Sequence, residues 1–161
     1  MDRRKMTSEQ WYGRGEHFLV AADILKRVNN NLGYPIVVAE AFATECFLKC
    51  LSLLETGQYK EVHDLAKLLE STSAESRKKI ADWWTAAEMP HGKPKALGLP
   101  PDVKVPGNFE EALAMSKDAF LSFRYVLDDV AGWWLSALQF DVRRRILELK
   151  PEWGANPPAP Y

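Results

Sequence analysis

The sequence predicts an all-α protein, an antiparallel helical bundle of five to six helices. Three observations predict it. Apolar residues recur at steps of three and four, most cleanly at Trp134, Leu138, Val142, Ile146 and Leu149. Helix-start signals stand ahead of such stretches at Thr7–Gln10, Thr72–Glu75 and Asn108–Glu111. No segment alternates at the strand period for more than a few residues.

In Thr7-Ser8-Glu9-Gln10, Thr7 caps and Gln10 reaches back. The first helix carries Trp11, Phe18, Ala21, Ala22, Leu25 and Val28 and ends in Asn29-Asn30-Asn31 before Gly33. Pro35 sits in the first turn of a second helix, where its missing N–H does no harm. That helix reaches Thr56 and stops at Gly57; it is so apolar that it should be the most buried element. A short loop leads to His63-Asp64 and a helix to Glu70. Thr72-Ser73-Ala74-Glu75 reads as a second capping box, opening a helix with Ile80, Trp83, Trp84 and Ala87.

Residues 88–107 are rich in proline and glycine and read as a loop. Asn108 with Glu111 then caps a helix carrying Leu113, Ala119, Phe120 and Phe123, with a break expected near Asp128-Asp129. The last helix ends at Pro151. The chain thus divides into one bundle domain, 1–150, and a Pro-rich tail, 151–161, expected to be mobile.

A chain of 161 residues, 47% hydrophobic, is long enough for one sizeable core. A net charge of −1 argues against strong nonspecific nucleic-acid binding, which needs surplus cations, but leaves room for a local basic patch. The charged start, Met1–Met6, is not followed by a signal-type apolar run, and no stretch is apolar enough to span a bilayer. A cytoplasmic protein is expected. Cys46 and Cys50, four apart on a helix, read as reduced, buried thiols. With only the scattered His17, His63 and His91 beside them, no metal or cofactor is expected.

Three polar groups stand out. Glu45 precedes Lys49 by four residues, the favourable order for a helix ion pair. It falls outside the arc centred on Ala39, Cys46, Cys50 and Leu54, so it is either a solvated pair or a carboxylate turned into a polar cleft. His63-Asp64 stands before a helix, where Asp64 can cap free N–H groups and His63 anchor the loop. Arg124-Tyr125 lies late in an apolar helix, where a guanidinium needs an acidic partner: Glu45, Asp128 or Asp129.

Taken in order, Glu45 to Lys49, His63-Asp64-Leu65 and Arg124-Tyr125 resemble the pattern of HEPN domains, small helical proteins that bind nucleotides or cleave RNA. The resemblance spans roughly residues 10–147. It implies a bundle that often dimerises, with the late-helix arginine near the dimer cleft. It also implies a nucleotide or RNA site lined by Glu45, His63, Asp64, Arg124 and Tyr125. Arg124 would contact phosphate, Tyr125 would shape or stack, and Glu45 and His63 would orient them. A role in stress or defence, as in a toxin–antitoxin pair with a nucleotidyltransferase-like partner protein, fits the same resemblance. The chain departs from the pattern in one respect. Catalytic members carry a histidine four to six residues after the arginine, whereas Tyr125-Val126-Leu127-Asp128-Asp129-Val130-Ala131 follows Arg124. No general acid or base tuned near neutral pH is then in place, and no catalytic residue is assigned. The alternative is a homodimeric all-α interaction module without a small ligand; an atypical ribonuclease comes third.

Other features are weaker. In Trp83-Trp84 and Trp133-Trp134, adjacent residues project about 100° apart, so one of each pair should be core and the other a rim, a dimer contact or a stacking platform. Arg143-Arg144-Arg145 suits a helix C-terminus and can touch phosphate.

Overall fold

The computed structural model describes residues 5–28, 33–87, 106–117 and 137–159. These form seven helices: α1 (Ser8–Val28), α2 (Gly33–Thr56), α3 (Leu65–Glu70), α4 (Ala74–Ala86), α5 (Phe109–Ser116), α6 (Leu138–Leu149) and α7 (Glu152–Ala155). No strand occurs among the described residues. The seventh helix, one turn beyond the five to six that periodicity predicts, lies past Pro151. Its Trp153 is buried and tilts against the Tyr12 ring at 5.1 Å, so the core extends into the stretch read as a tail. Residues 88–105 of the loop expected over 88–107, the break near Asp128-Asp129 and Trp133-Trp134 lie outside the described residues.

Local chemistry sets the helix ends. The Thr7 hydroxyl accepts from the Gln10 N–H at 3.3 Å, and the Gln10 side chain accepts from the Thr7 N–H at 3.0 Å, closing the expected capping box. Gly57 ends α2 at φ 75°, and its N–H donates to the Leu53 carbonyl. Asn108 caps α5 by accepting from the Glu111 N–H at 2.8 Å. The box at Thr72–Glu75 is built differently. Ser73, not Thr72, is the cap, accepting from the Ser76 N–H at 3.1 Å. The carboxylate that answers the cap's own N–H comes from Glu55 of α2, at 2.7 Å.

Helices α1 and α2 form an antiparallel pair, since partners on α2 fall in number as α1 advances. Lys49 meets Trp11, Phe47 meets Tyr12, Phe42 stacks on Phe18 and Glu40 meets Lys26. The backbones approach closely at Gly15, where a Cβ would lie 2.4 Å from the Phe47 ring. Helix α2 is buried over most of its length, and Phe47, Leu48 and Leu51 are fully buried. Leu65, Leu68 and Leu69 of α3 and Leu138, Val142 and Ile146 of α6 pack against it, while Ile80 and Trp84 of α4 extend the same core along α6 and Phe109 of α5 closes it beside α3 and Trp84. The α6 stripe runs inward as its spacing predicts, and it surfaces at Leu149. The Leu65 N–H donates to the Lys117 carbonyl and ties the start of α3 to the end of α5.

Candidate ligand site

Glu45 projects from the middle of α2 and is 4% exposed; Lys49, one turn on, is 5% exposed. The ion pair is therefore buried, which removes the solvated-pair reading. Lys49 Nζ donates to Glu45 Oε1 at 2.7 Å. The loop after α2 brings His63 to the other carboxylate oxygen, with Nδ1 2.9 Å from Oε2. With its proton on Nδ1, His63 donates there, and the ring stays half exposed.

The cation has a second kind of partner. Lys49 Nζ lies 4.7 Å from the centre of the Trp11 ring and 5.9 Å from that of Tyr59. The two rings meet edge-to-face at 5.4 Å. Ring faces attract a desolvated ammonium, so Trp11 and Tyr59 offset part of the cost of burying Lys49. Arg14 stands over the same Trp11 ring at 5.9 Å. Cys46, beside Glu45, has its thiol pushed up to about 12 by burial and then by the carboxylate. Cys46 and Cys50 are free, buried thiols that act as small apolar side chains. Among the described residues no group of His, Cys, Asp and Glu is arranged to hold a metal.

Asp64 has a local task. It is the N-cap of α3, its Oδ1 accepting from the Lys67 N–H at 3.0 Å while Oδ2 lies 3.3 Å from Lys67 Nζ. Burial pulls its pKa up, but the bonds from Lys67 outweigh that and hold it below the usual carboxylate range. The structure thus brings Glu45 and His63 together and engages Asp64 with the end of α3. Arg124 and Tyr125 lie outside the described residues.

The arginine run is not a shared phosphate cradle. Successive residues fan out by about 100°, and each arginine finds a separate partner. Arg143 pairs with Glu16 of α1. Arg144 lies over the Trp83 ring at 4.1 Å, which gives the outer tryptophan of that pair its role, while Trp84 is core against Phe109. Arg145 is buried. It donates to Ser76 Oγ at 2.7 Å and Glu148 at 2.8 Å, and lies 3.1 Å from Glu75. Ser76 in turn donates to Glu55. This network locks α2, α4 and α6 together.

Sequence reasoning passed over Trp11 and Tyr59 as partners of Lys49, and over Glu55 and Arg145. A signal existed for Arg145: it falls within about 60° of Val142 on the helical wheel, at the edge of the apolar stripe. None existed for Tyr59, which a loop delivers. No helix among the described residues is long and apolar enough to cross a membrane. Comparisons with protein-family models, with curated proteins and with solved structures give no match to this chain.

Proposed function

We propose that the chain is a HEPN-like domain that binds a nucleotide or RNA without cleaving it, and that it works as a homodimer in the cytoplasm. The site lies where α2 meets the loop before α3, with Glu45 and His63 at its centre and Asp64 holding the loop's exit. Arg124 supplies the phosphate contact and Tyr125 the stacking surface, as the resemblance implies. One observation carries the reading: a buried carboxylate joins Lys49 and a half-exposed His63 beside the Trp11 and Tyr59 rings. A histidine edge, ring faces and nearby cations are the groups that nucleobases and phosphates recognise. The missing histidine after Arg124 argues for binding without cleavage. A role in stress or defence, beside a nucleotidyltransferase-like partner, goes with the same resemblance.

Thermal-shift and binding measurements with ribonucleotides and short single-stranded RNA test this. A bound ligand raises the melting temperature by mass action. Arg124→Ala and His63→Ala should each remove that shift. RNA cleavage by the wild-type chain that Arg124→Ala abolishes would overturn the non-cleaving reading.

A second reading is a homodimeric interaction module without a small ligand. Two observations favour it: both Glu45 oxygens already have partners within the chain, and α1 presents exposed apolar residues to solvent. No shift with any nucleotide or RNA, together with a dimer mass, would select it.

A further inference from the structure

The arginines of the described residues differ in what neutralises them. Arg27 pairs with Asp23, Arg143 with Glu16, and Arg145 with Glu75 and Glu148. Arg77 donates to the carbonyls of Glu70 and Thr72. Arg144 lies over Trp83 and acts on Asp141, one turn before it. Arg14 has no such acid. Among the described residues it makes no ion pair and no hydrogen bond, and it lies over the Trp11 ring at 5.9 Å. The residues at facing spacing on α1 are Gln10, Trp11, His17 and Phe18, none of them acidic.

Arg14 is exposed, and the Trp11 ring is only half-buried. Lys49, which is buried, lies 4.7 Å from the centre of the same ring. Two cations thus share one indole, while Glu45 is already engaged by Lys49 and His63. Arg14, Lys49 and Glu45 together are one negative charge short. A guanidinium beside a ring keeps its N–H fork open, the geometry that grips a phosphate with two bonds. Tyr59, half-buried and edge-to-face with Trp11, brings a second ring to the same place. A cation open to phosphate therefore stands next to aromatic surface, on which bases stack. An RNA backbone calls for several neighbouring cations. Arg14 has no lysine or arginine at facing spacing on α1, and the Arg143–Arg145 run is dispersed among separate partners. This place suits a single phosphate.

We propose that Arg14 is a phosphate contact of the candidate site and that the ligand is a mononucleotide, its phosphate on Arg14 and its base against the Tyr59 and Trp11 rings. This rests on the nucleotide-binding reading and adds to it the phosphorylation state of the ligand and a residue that reads it.

Calorimetric titration of the full chain with nucleoside 5′-monophosphates, the matching nucleosides, inorganic phosphate and short single-stranded RNA tests it. The wild type should bind a monophosphate at least tenfold more tightly than its nucleoside or inorganic phosphate. Arg14→Gln should remove that preference and leave nucleoside binding unchanged, and Arg14→Glu should abolish monophosphate binding. Circular dichroism and melting temperature of both variants should match the wild type, since the side chain is exposed. Monophosphate binding that survives Arg14→Glu overturns the phosphate contact and keeps the functional reading. Equal loss of nucleoside and monophosphate binding in Arg14→Gln makes Arg14 a prop for Trp11 and overturns the contact as well. Inorganic phosphate bound as tightly as the monophosphate overturns the part given to the base. Binding of RNA without any mononucleotide overturns the ligand assignment alone. A wild-type chain that binds none of these overturns the functional reading and this inference together.

Discussion

Glu55 completes the cap of a helix to which it does not belong: its carboxylate accepts from both the backbone N–H and the hydroxyl of Ser73, at 2.7 and 2.9 Å. In a local capping box the carboxylate sits three residues into the same helix. Here α2 supplies it to α4, and Oε1, the oxygen that takes the Ser73 hydroxyl, also accepts from Ser76, which receives Arg145 of α6. Helix initiation and the packing of three helices thus hang on one buried group.

Glu55→Ala is expected to destabilise the fold by about 3–5 kcal/mol, since it removes the acceptor of several bonds and leaves Arg145 with less counter-charge in a dry site. Ser73→Ala, which removes only the cap acceptor, should cost about 1 kcal/mol. Urea denaturation of both variants checks the ranking; equal, small losses would show that Glu55 is dispensable.

The Glu45–Lys49 pair gives a different pattern. Glu45→Ala leaves Lys49 buried without its carboxylate and should cost about 3–5 kcal/mol. Replacing both residues by methionine removes the charges together and should cost far less, because a desolvated pair offers little net stability over apolar packing. His63→Ala, at a half-exposed position, should cost under about 1 kcal/mol. A double variant as unstable as Glu45→Ala alone would mean that the pair contributes through geometry other than charge neutralisation.

Helix boundaries were legible in the sequence because their signals are local. Thr7 with Gln10, Asn108 and Gly57 act where their neighbours imply. The burial of α2 was legible as well, from its composition. The Thr72 box was misread by one residue because the completing acid comes from Glu55, eighteen residues away, and local spacing cannot register it. The candidate site was half legible for the same reason. Glu45 and His63 carried the resemblance, whereas the rings that face Lys49 come from α1 and from a loop, and only the packing of α1 on α2 brings them in. The wheel of α2 placed Glu45 off the apolar arc and suggested solvent there; Trp11, Tyr59 and His63 occupy that side instead.

The close approach of α1 and α2 gives a steric prediction. At Gly15 an added Cβ would stand 2.4 to 2.8 Å from three atoms of the Phe47 ring, which is fully buried and has nowhere to turn. Gly15→Ala should destabilise by about 1–3 kcal/mol despite alanine's better helix propensity. Combining it with Phe47→Leu should recover part of the loss. A stabilised Gly15→Ala variant would place α1 farther from α2 than described.

Asp141 supplies a pH signature. One oxygen of this α6 residue is buried with no hydrogen-bond partner among the described residues, and burial raises its pKa from 3.8 to about 6, against the pull of Arg144. The folded state therefore binds this proton more tightly than the unfolded chain does. Its favourable contribution is complete below about pH 4 and is lost as pH rises through about 6. Two effects temper the size: the group is only partly buried, and a carboxylate in the first turn of a helix gains about 0.3–1 kcal/mol from the backbone dipole. Asp141→Asn should consequently be more stable than the wild type by about 1 kcal/mol at pH 7.5, and the advantage should vanish by pH 4. Denaturation of both proteins from pH 4 to 8 measures it. A wild-type chain that gains stability relative to Asp141→Asn as pH rises would mean that the carboxylate is paired in the folded state.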